Sequence, residues 1–319
     1  MSYRILKVMV LLMGIMLSGC ADQTGKPQAH GLRLAYPNKI QYAPFIIGTG
    51  AEGRFAAAGI QVRPVIVTGG IDAAEALIAG ETDIAAMGDV PAIILLFRDM
   101  RFQVICSYME SPAMHRMVAA PNRGIAAIRD LQGKRVAVHH GSSTHGALLA
   151  HLAEHGIDPA SITFVPLTPD NFPEAMLRGE VDAIAGSEPW PQNVLDRVPG
   201  AAEIGALTVT GNSFPHLLVA NRRYLEEHRE EVDRLLKEVG DIEADISSRP
   251  DRAAEAVARV TGRTPGAEAQ AMTALGFRLD FSPDVADGLK KTAAFLKAQG
   301  KIAGIPQEEA LRPVSGLGR

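Results

Sequence analysis

Residues 67–93, VTGGIDAAEALIAGETDIAAMGDVPAI, decide the fold class. They follow QVRPVIV, an apolar run with the composition of a β-strand. A Thr-Gly-Gly turn precedes a helical pattern over residues 72–79, which ends at Gly80. TDIAAM then has the pattern of a second strand, and a second helix is predicted over residues 90–97. Short apolar strands that alternate with helices predict an α/β fold with a mainly parallel sheet.

The same alternation continues on both sides of this stretch. LRLAY is a predicted strand before it, followed by a predicted helix over residues 44–58. A second unit begins near Pro121, with VAVH as a strand and a helix over residues 143–154. The phrases IAGETDIA (residues 78–85) and LRGEVDAI (residues 177–184) match: in each, a helix ends at Gly and an acidic turn leads into an apolar strand. The match indicates that the two units share a topology.

The C-terminal third has helical periodicity. The helices are predicted over residues 222–247, 251–261, 265–275 and 283–299, with Pro or Gly between them. Because this tail shows no strand pattern of its own, we expect it to contribute no sheet and to pack on the first unit.

The N-terminus has the pattern of a targeting segment. Residues 1–20 carry a basic start, an apolar run of about ten residues and small residues before Cys20, which is typical of a signal peptide. The run is too short to span a bilayer. Leu-Ser-Gly-Cys resembles a bacterial lipobox, which implies cleavage before Cys20 and lipidation of its thiol. Residues 21–30 are then a polar tether, and we expect a periplasmic or extracytoplasmic protein that is lipid-anchored to the membrane.

Length, charge and cysteine content narrow the possible functions. A chain of 319 residues is long enough for two domains with sizeable cores. Its net charge of −4 provides no broad basic surface, so we expect no nucleic-acid partner. Apart from Cys20 the chain has one cysteine, Cys106, in the apolar run FQVICSY, where it is predicted to be a core residue.

Polar and small residues follow the predicted strands. In open α/β sheets, ligands bind at the carboxyl ends of strands, where helix N-termini offer free N–H groups. Two of these loops, Thr-Gly-Gly and Gly-Ser-Ser-Thr, have the composition of a cradle for an anion, although their hydroxyls also suit helix N-caps. The strand-end candidates are Asn38, Tyr42, Thr68, Gly69, Gly70, Gly88, Asp89, Ser142, Ser143, Thr144, His145, Glu188 and Trp190.

Five of the nine histidines lie in residues 139–155, HHGSSTHGALLAHLAEH. His151 and His155 have the spacing of a shared metal site, but no third ligand and no HExxH pattern accompany them, so we expect surface residues and no metal. His145 is expected near a ligand. GxSxG, Walker and GxGxxG motifs are absent from the sequence. The one catalytic triad that can be assembled from it would combine Ser142 or Ser143 with His145 and an Asp elsewhere in the chain. We expect neither an enzyme nor a cofactor.

Five segments in order carry a family resemblance. They are YPNKIQYAPF, VTGGIDAAEALIAGETDIAAMGDVPAI, DLQGKRVAVHHGSSTHGALLAHLAEHGI, MLRGEVDAIAGSEPWPQNV and VANRRYLEEHREEVDRLL. Together they resemble the solute-binding proteins of ABC importers for nitrate, taurine and aliphatic sulfonates, with their thiamine-pyrimidine relatives. The resemblance extends from about Leu32 to the C-terminal helix.

The resemblance implies a type II periplasmic-binding-protein fold, with two α/β lobes around a ligand cleft and a helical C-terminal tail packed on lobe 1. Lobe 1 would comprise residues 31–118 and 209–319, and lobe 2 residues 119–208. The chain would cross near residues 117–120 and return near residues 208–217. The strand-end candidates would then face the ligand. Positions that depart from the family pattern add His115, Arg116 and His216 at the lobe junction.

Two kinds of ligand remain open at this point. A sulfonate, taurine or nitrate could bind Arg116 and backbone N–H groups. An amine or aromatic heterocycle, such as a thiamine-pyrimidine precursor, could instead bind Glu188 and Trp190. The resemblance also implies ABC permease and ATPase subunits as partners and a monomer in solution. An enzyme or a ligand sensor on the same fold is the alternative to solute capture.

Overall fold

The structure, a computed structural model, describes residues 31–314 and Gly316. The predicted signal peptide, Cys20 and the predicted tether therefore lie outside the described residues. From Leu32 onward the chain forms one compact unit. None of the helices in this described part is both long and apolar enough to cross a membrane.

The described residues form eleven strands and thirteen α-helices. The strands are β1 (Leu32–Pro37), β2 (Val62–Val67), β3 (Ile84–Gly88), β4 (Phe102–Glu110), β5 (His115–Ala119), β6 (Arg135–Val138), β7 (Thr163–Pro166), β8 (Ala183–Ser187), β9 (Ala202–Ala206), β10 (His216–Asn221) and β11 (Gly276–Asp280). The helices are α1 (Ala43–Thr49), α2 (Arg54–Ala57), α3 (Gly70–Ile78), α4 (Asp89–Arg98), α5 (Ser143–Glu154), α6 (Phe172–Leu177), α7 (Trp190–Arg197), α8 (Arg222–Glu227), α9 (Arg229–Ser248), α10 (Pro250–Thr261), α11 (Pro265–Met272), α12 (Pro283–Ala298) and α13 (Glu308–Leu311).

The strands form two sheets, one in each lobe. The first-lobe sheet has the order β11-β4-β10-β3-β1-β2, and the second-lobe sheet has the order β7-β6-β8-β5-β9. The chain passes between the sheets at residues 111–114 and returns at residues 207–215. The first passage precedes the stretch 117–120 that the resemblance implied. Two α/β lobes joined by two connections confirm the predicted fold class.

The matched phrases in the two halves have the same structural role. In the first lobe, Arg33 of β1 binds Asp83 through its Nε (3.0 Å) and donates to the Gly80 carbonyl (2.6 Å). In the second lobe, Arg135 of β6 binds Asp182 through its Nε (3.2 Å) and donates to the Gly179 carbonyl (2.7 Å). In both lobes the arginine-bearing strand pairs in parallel with its two neighbours. The repeated sequence phrase therefore corresponds to the same local structure in both lobes.

The C-terminal tail contributes strands, so the expectation that it has none is wrong. β10 lies between β3 and β4 and is antiparallel to both, and β11 is antiparallel to β4 at the sheet edge. The sheet is consequently mixed. All but the last residue of β10 are buried, which gives HLLVAN a continuous apolar run instead of an alternating pattern. The predicted helix over residues 44–58 is also divided, into α1 and α2.

The helical tail packs on the first lobe, as the resemblance implied. Helix α9 buries Leu235, Val239, Ile242 and Ile246, whose spacing places them on one face. These side chains belong to the same core cluster as the aromatic residues of α1 and α2. The first lobe thus has helices on its sheet from both the start and the end of the chain.

Candidate ligand-binding site

A cleft between the lobes contains a cavity of about 80 Å³. It lies at the carboxyl ends of β1, β3, β6 and β8, where the two sheets face each other. His115 and His216 reach it because each begins an antiparallel strand, opposite Ser187 and Gly88 respectively. The sequence candidates that line the cavity are Tyr42, Gly69, Gly70, Gly88, His115, Ser142, Ser143, Thr144, Trp190 and His216.

Four helices begin at this cavity. The residues at or beside their N-termini are Gly69 for α3, Gly88 for α4, Ser142 for α5 and Trp190 for α7. The Ser142 hydroxyl caps α5 by accepting a hydrogen bond from the His145 N–H at 3.2 Å. Helix N-termini carry free N–H groups and a partial positive charge. The convergence of four of them favours a negatively charged ligand group.

Buried polar atoms without hydrogen-bond partners surround the cavity. They are Gln41 Oε1, His115 Nε2, Trp190 Nε1 and His216 Nδ1. Buried polar atoms in proteins are nearly always hydrogen-bonded, and an unsatisfied one is costly. Both lobes contribute to this set, so a single ligand with donor and acceptor capacity would satisfy atoms of both.

The two histidines at the lobe junction are neutral at pH 7. Burial lowers the pKa of His115 to about 3 and that of His216 to about 4. His115 Nδ1 is 2.9 Å from the Thr144 hydroxyl, which holds the ring in place. The His216 ring meets the Tyr42 ring edge-on, with centroids 5.5 Å apart. These side chains can therefore donate or accept hydrogen bonds without adding charge to the cavity.

The structure adds Lys39 and Gln41 to the lining, and neither was among the sequence candidates. The ammonium of Lys39 lies 5.4 Å from the centroid of the Trp190 ring, which belongs to the other lobe. Desolvation lowers the pKa of Lys39 to about 8, so it is still largely protonated at pH 7. The available signal was its position directly after the first strand, where Asn38 was selected instead.

Five strand-end candidates lie outside the cavity lining: Asn38, Thr68 and His145, and also Asp89 and Glu188, which have other partners. Asn38 and Thr68 are exposed. His145 is buried, and its ring stacks on His140 with centroids 4.6 Å apart. The cavity is instead lined by their neighbours Lys39, Gly69 and Thr144.

Asp89 connects the lobes instead of lining the cavity. It is buried at the start of α4, where its carboxylate accepts the Val90 N–H at 2.8 Å and interacts with the Ser143 hydroxyl of the other lobe. Burial raises the pKa of Asp89 to about 6. A Cβ placed on Gly88 would lie 2.3 Å from Ser143 Oγ. The lobes are therefore in contact, and the cleft is closed.

Arg116 and Glu188, on which the two ligand alternatives depended, bind each other. Arg116 also contacts Glu203 at 2.5 Å, and Arg263 from the first lobe lies 3.8 Å from Glu188. Both side chains line a separate space of about 440 Å³, here called the outer pocket, which has Arg116, Glu188 and Arg263 on its wall. Neither side chain lines the cavity. The charges that the sequence offered to a ligand are thus already paired within the protein.

The helical histidines contact other groups of the protein. His151 is buried and its Nδ1 is 2.7 Å from the Thr208 carbonyl, so the expectation of a surface residue is wrong for it. His155 stacks on His151, with ring centroids 4.2 Å apart. Across residues 31–314, no group of three or more potential metal-binding side chains is found.

Solved structures define the class of fold. The periplasmic aliphatic sulphonate binding protein SsuA of Escherichia coli superposes with a TM-score of 0.78 at 21% identity, covering 90% of this chain and 94% of its own. The alkanesulfonate-binding protein SsuA of Xanthomonas axonopodis pv. citri, bound to MOPS, gives 0.77 at 21% identity, covering 88% and 96%. The fold is therefore that of the periplasmic binding proteins.

The sequence family is also established. Residues 40–253 match the NMT1/THI5-like family, and the chain belongs to it. The taurine-binding periplasmic protein of Escherichia coli is 24% identical over 75% of this chain and 78% of its own length. A Bacillus subtilis protein, provisionally named as binding aliphatic sulfonates, is 28% identical over 58% of this chain. That match spans 56% of the Bacillus protein, so the chain covers less than three fifths of its length.

Proposed function

We propose that this protein is the solute-binding component of an ABC importer and that it captures a small sulfonate-type anion between its lobes. The observation that carries the proposal is the cavity between the contacting lobes, where four helix N-termini meet unsatisfied polar atoms of both lobes. A ligand that contacts both lobes favours the closed state and so shifts the open–closed equilibrium. Capture of this kind requires no chemical reaction in the cleft.

The charge around the cavity supports an anion. Lys39 carries the one full positive charge among the described lining residues, and none of them is Asp or Glu. Because Glu188 is paired with Arg116 and Arg263, it is not free to bind an amine. The relatives named for sulfonates and taurine agree with a sulfonate group.

Delivery and anchoring complete the proposal. The closed form would dock on the permease of an importer that has an ATPase subunit, as its relatives' class implies. Lipidation at Cys20 would keep the protein, as a monomer, at the outer face of the membrane from which the importer takes its solute. Labelling with a radioactive fatty acid in cells, compared with a Cys20→Ala variant, tests the anchor: loss of the label in the variant is expected.

An aromatic heterocycle is the second candidate ligand. The Trp190 ring lines the cavity and its Nε1 is unsatisfied, which suits a flat ring with a hydrogen-bond acceptor. Fewer observations support this ligand, because the Lys39 ammonium already lies over the Trp190 ring on which a heterocycle would stack.

The test is a thermal-shift and solution-scattering screen of the chain from Gly31 onward. The panel holds alkanesulfonates, nitrate, taurine, a thiamine pyrimidine, simple amines and zinc. A ligand at 100 times its Kd stabilises the folded state by about 2.7 kcal/mol, which raises the melting temperature measurably. We expect a sulfonate to do so and to reduce the radius of gyration. Chemical turnover of a bound compound without any change in lobe separation would falsify the proposal.

A further inference from the structure

We propose that Lys39 pairs with the anionic group of the ligand and that the cleft selects a small monoanion against a zwitterion of the same size. The inference rests on the proposed function and specifies the charge of its ligand. It distinguishes two compounds that carry the same sulfonate group: an alkanesulfonate, which has one negative charge, and taurine, which adds an ammonium.

The position of Lys39 is the first step. Its backbone follows β1 in the first lobe, while its ammonium lies over the Trp190 ring of the second lobe. A cation over an aromatic face gains some attraction, but less than an ion pair gives when both are desolvated. Among residues 31–314, no carboxylate lies within ion-pair distance of this ammonium. An anion in the cavity would supply the missing counter-charge.

The surrounding charges are the second step. The carboxylates that act on Lys39 are Asp72 and Asp170, and both are exposed, so water screens them. His139 and His216 face Lys39 as well, and burial lowers the pKa of each. An ammonium group on the ligand would therefore lie near Lys39 with no described carboxylate in the lining to receive it. Burying an unpaired charge in this way is costly.

The size of the cavity is the third step. One water needs roughly 10–15 Å³ of such space, so about 80 Å³ accommodates several water-sized groups. Trp190 Nε1 and the neutral imidazoles of His115 and His216 can donate hydrogen bonds to the oxygens of a compact oxoanion. A short alkyl chain can then lie against the uncharged residues that line the cavity. The geometry thus accommodates an oxoanion head group, whereas an ammonium would find the neutral acceptor Gln41 Oε1 but no carboxylate in the described lining.

The experiment is calorimetric titration of the chain from Gly31 onward at pH 7 with 1-propanesulfonate and taurine. These compounds are isosteric, because a methyl group in one replaces the ammonium of the other. We expect propanesulfonate to bind at least about tenfold more tightly, as expected for a ligand charge left unpaired. Lys39→Met should weaken propanesulfonate by about tenfold or more and remove most of the difference. Lys237→Met, an exposed lysine on α9, is the matched control and should change neither affinity.

The pH dependence supplies a second readout. Propanesulfonate affinity should be constant up to about pH 8 and then fall as Lys39 loses its proton, whereas Lys39→Met should show no such fall. His139 and His216, whose pKa values burial lowers, stay neutral throughout this range, and the exposed carboxylates of Asp72 and Asp170 are the other charged groups that face Lys39. A flat profile in the unmodified chain would contradict the role of Lys39.

A ligand-free measurement separates the inference from the proposed function. Lys39→Met should raise the melting temperature of the free chain at pH 7, because it removes a desolvated ammonium; a lower melting temperature would overturn the inference. Equal binding of taurine and propanesulfonate would overturn the inference and leave solute capture standing. Binding of a heterocycle alone would overturn both the inference and the sulfonate ligand. Binding of nothing in the wider screen would count against the proposed function itself.

Discussion

The cavity and the outer pocket lie side by side between the same two lobes, and they differ in whether their charged groups have ion-pair partners. In the outer pocket Arg116, Glu188 and Arg263 form a continuous set of ion pairs, with Glu203 and Glu268 at its ends. In the cavity Lys39 has no ion-pair partner among the described residues, and four polar atoms lack hydrogen bonds. The larger of the two spaces is therefore the one whose charged side chains are paired with one another, although Glu188 Oε2 itself accepts no hydrogen bond.

This difference separates two functions of the lobe junction. Groups paired within the protein contribute to its stability and hold the lobes together. Groups that remain unpaired in a closed cavity cost stability, and they regain it when a ligand supplies their partners. Substitutions on the two sides should consequently affect different quantities: ligand affinity for the cavity, and folding stability for the outer pocket.

The largest effect is expected from filling the contact between the lobes. Gly88→Ala would place a Cβ 2.3 Å from Ser143 Oγ and 3.3 Å from Ser143 Cβ. Overpacking of this kind costs about 1–3 kcal/mol, so propanesulfonate affinity should fall roughly tenfold to hundredfold. Calorimetry measures the loss, and scattering should show less closure. Gly266→Ala, at an exposed position of α11 with nothing within 4 Å of the added Cβ, is the control. A second substitution, Ser143→Gly, should restore binding; failure to do so would contradict the steric explanation.

The next effect concerns the outer pocket. Glu188→Gln leaves the guanidinium groups of Arg116 and Arg263 without their shared carboxylate. Because these side chains are only 14–22% exposed, we expect a loss of about 1–3 kcal/mol in urea unfolding, with propanesulfonate affinity unchanged within about twofold. Glu227→Gln, which breaks the exposed pair with Arg223, should cost about 0.3–0.5 kcal/mol. Normal stability together with lost binding would place Glu188 in the ligand site instead.

A smaller effect should appear in acid. The pKa values of His115 and His216 are about 3 and about 4 in the folded chain, against 6.5 for an ordinary histidine. Between about pH 4 and pH 6.5 the unfolded chain therefore binds more protons than the folded chain. Stability should therefore fall as the pH drops from about 6.5 to about 4. The double variant His115→Asn, His216→Asn should show a shallower fall in urea titrations across this range. His228→Asn, at an exposed position, is the control; equal slopes in all three proteins would contradict the stated cause.

The smallest effects are expected beside the cavity. Asn38→Ala and Thr68→Ala alter exposed side chains next to the lining residues Lys39 and Gly69. Affinity for propanesulfonate should change by less than about twofold and stability by less than about 0.5 kcal/mol. A tenfold loss in either variant would show that the lining extends further along these loops than the closed structure indicates.

Most of the fold could be predicted because its signals are local. The rhythm of strand, Gly turn and helix depends on neighbouring residues, and so does the GExD phrase that precedes β3 and β8. The two later strands of the first sheet were missed for a physical reason. β10 is buried on both faces, so it lacks the alternation that marks a half-exposed strand. β11 does alternate at Phe277, Arg278 and Leu279, but it is a five-residue edge strand between helices, too short for that pattern to be distinctive.

The candidate site was predicted only where the strand ends themselves form it. Gly69, Gly70 and the Ser142–Ser143–Thr144 loop line the cavity because strand ends of a parallel sheet meet at one edge. The position of a charged side chain is different, because a partner distant in sequence can capture it. Arg116 is bound by Glu188 and Glu203, and nothing in the local sequence around Arg116 shows this.

The α/β rhythm, the internal repeat and the strand ends around the cleft can all be predicted from the order of residues. They follow from hydrophobic periodicity and turn chemistry, which act over a few residues. Which charges remain available to a ligand depends instead on how the chain folds in three dimensions. Arg116, a plausible anion ligand in the sequence, is neutralised by Glu188 across the second-lobe sheet, while Lys39 is brought over Trp190 of the opposite lobe and left without a counter-charge. Electrostatic interaction depends on distance and desolvation in the folded chain, and residue order alone specifies neither.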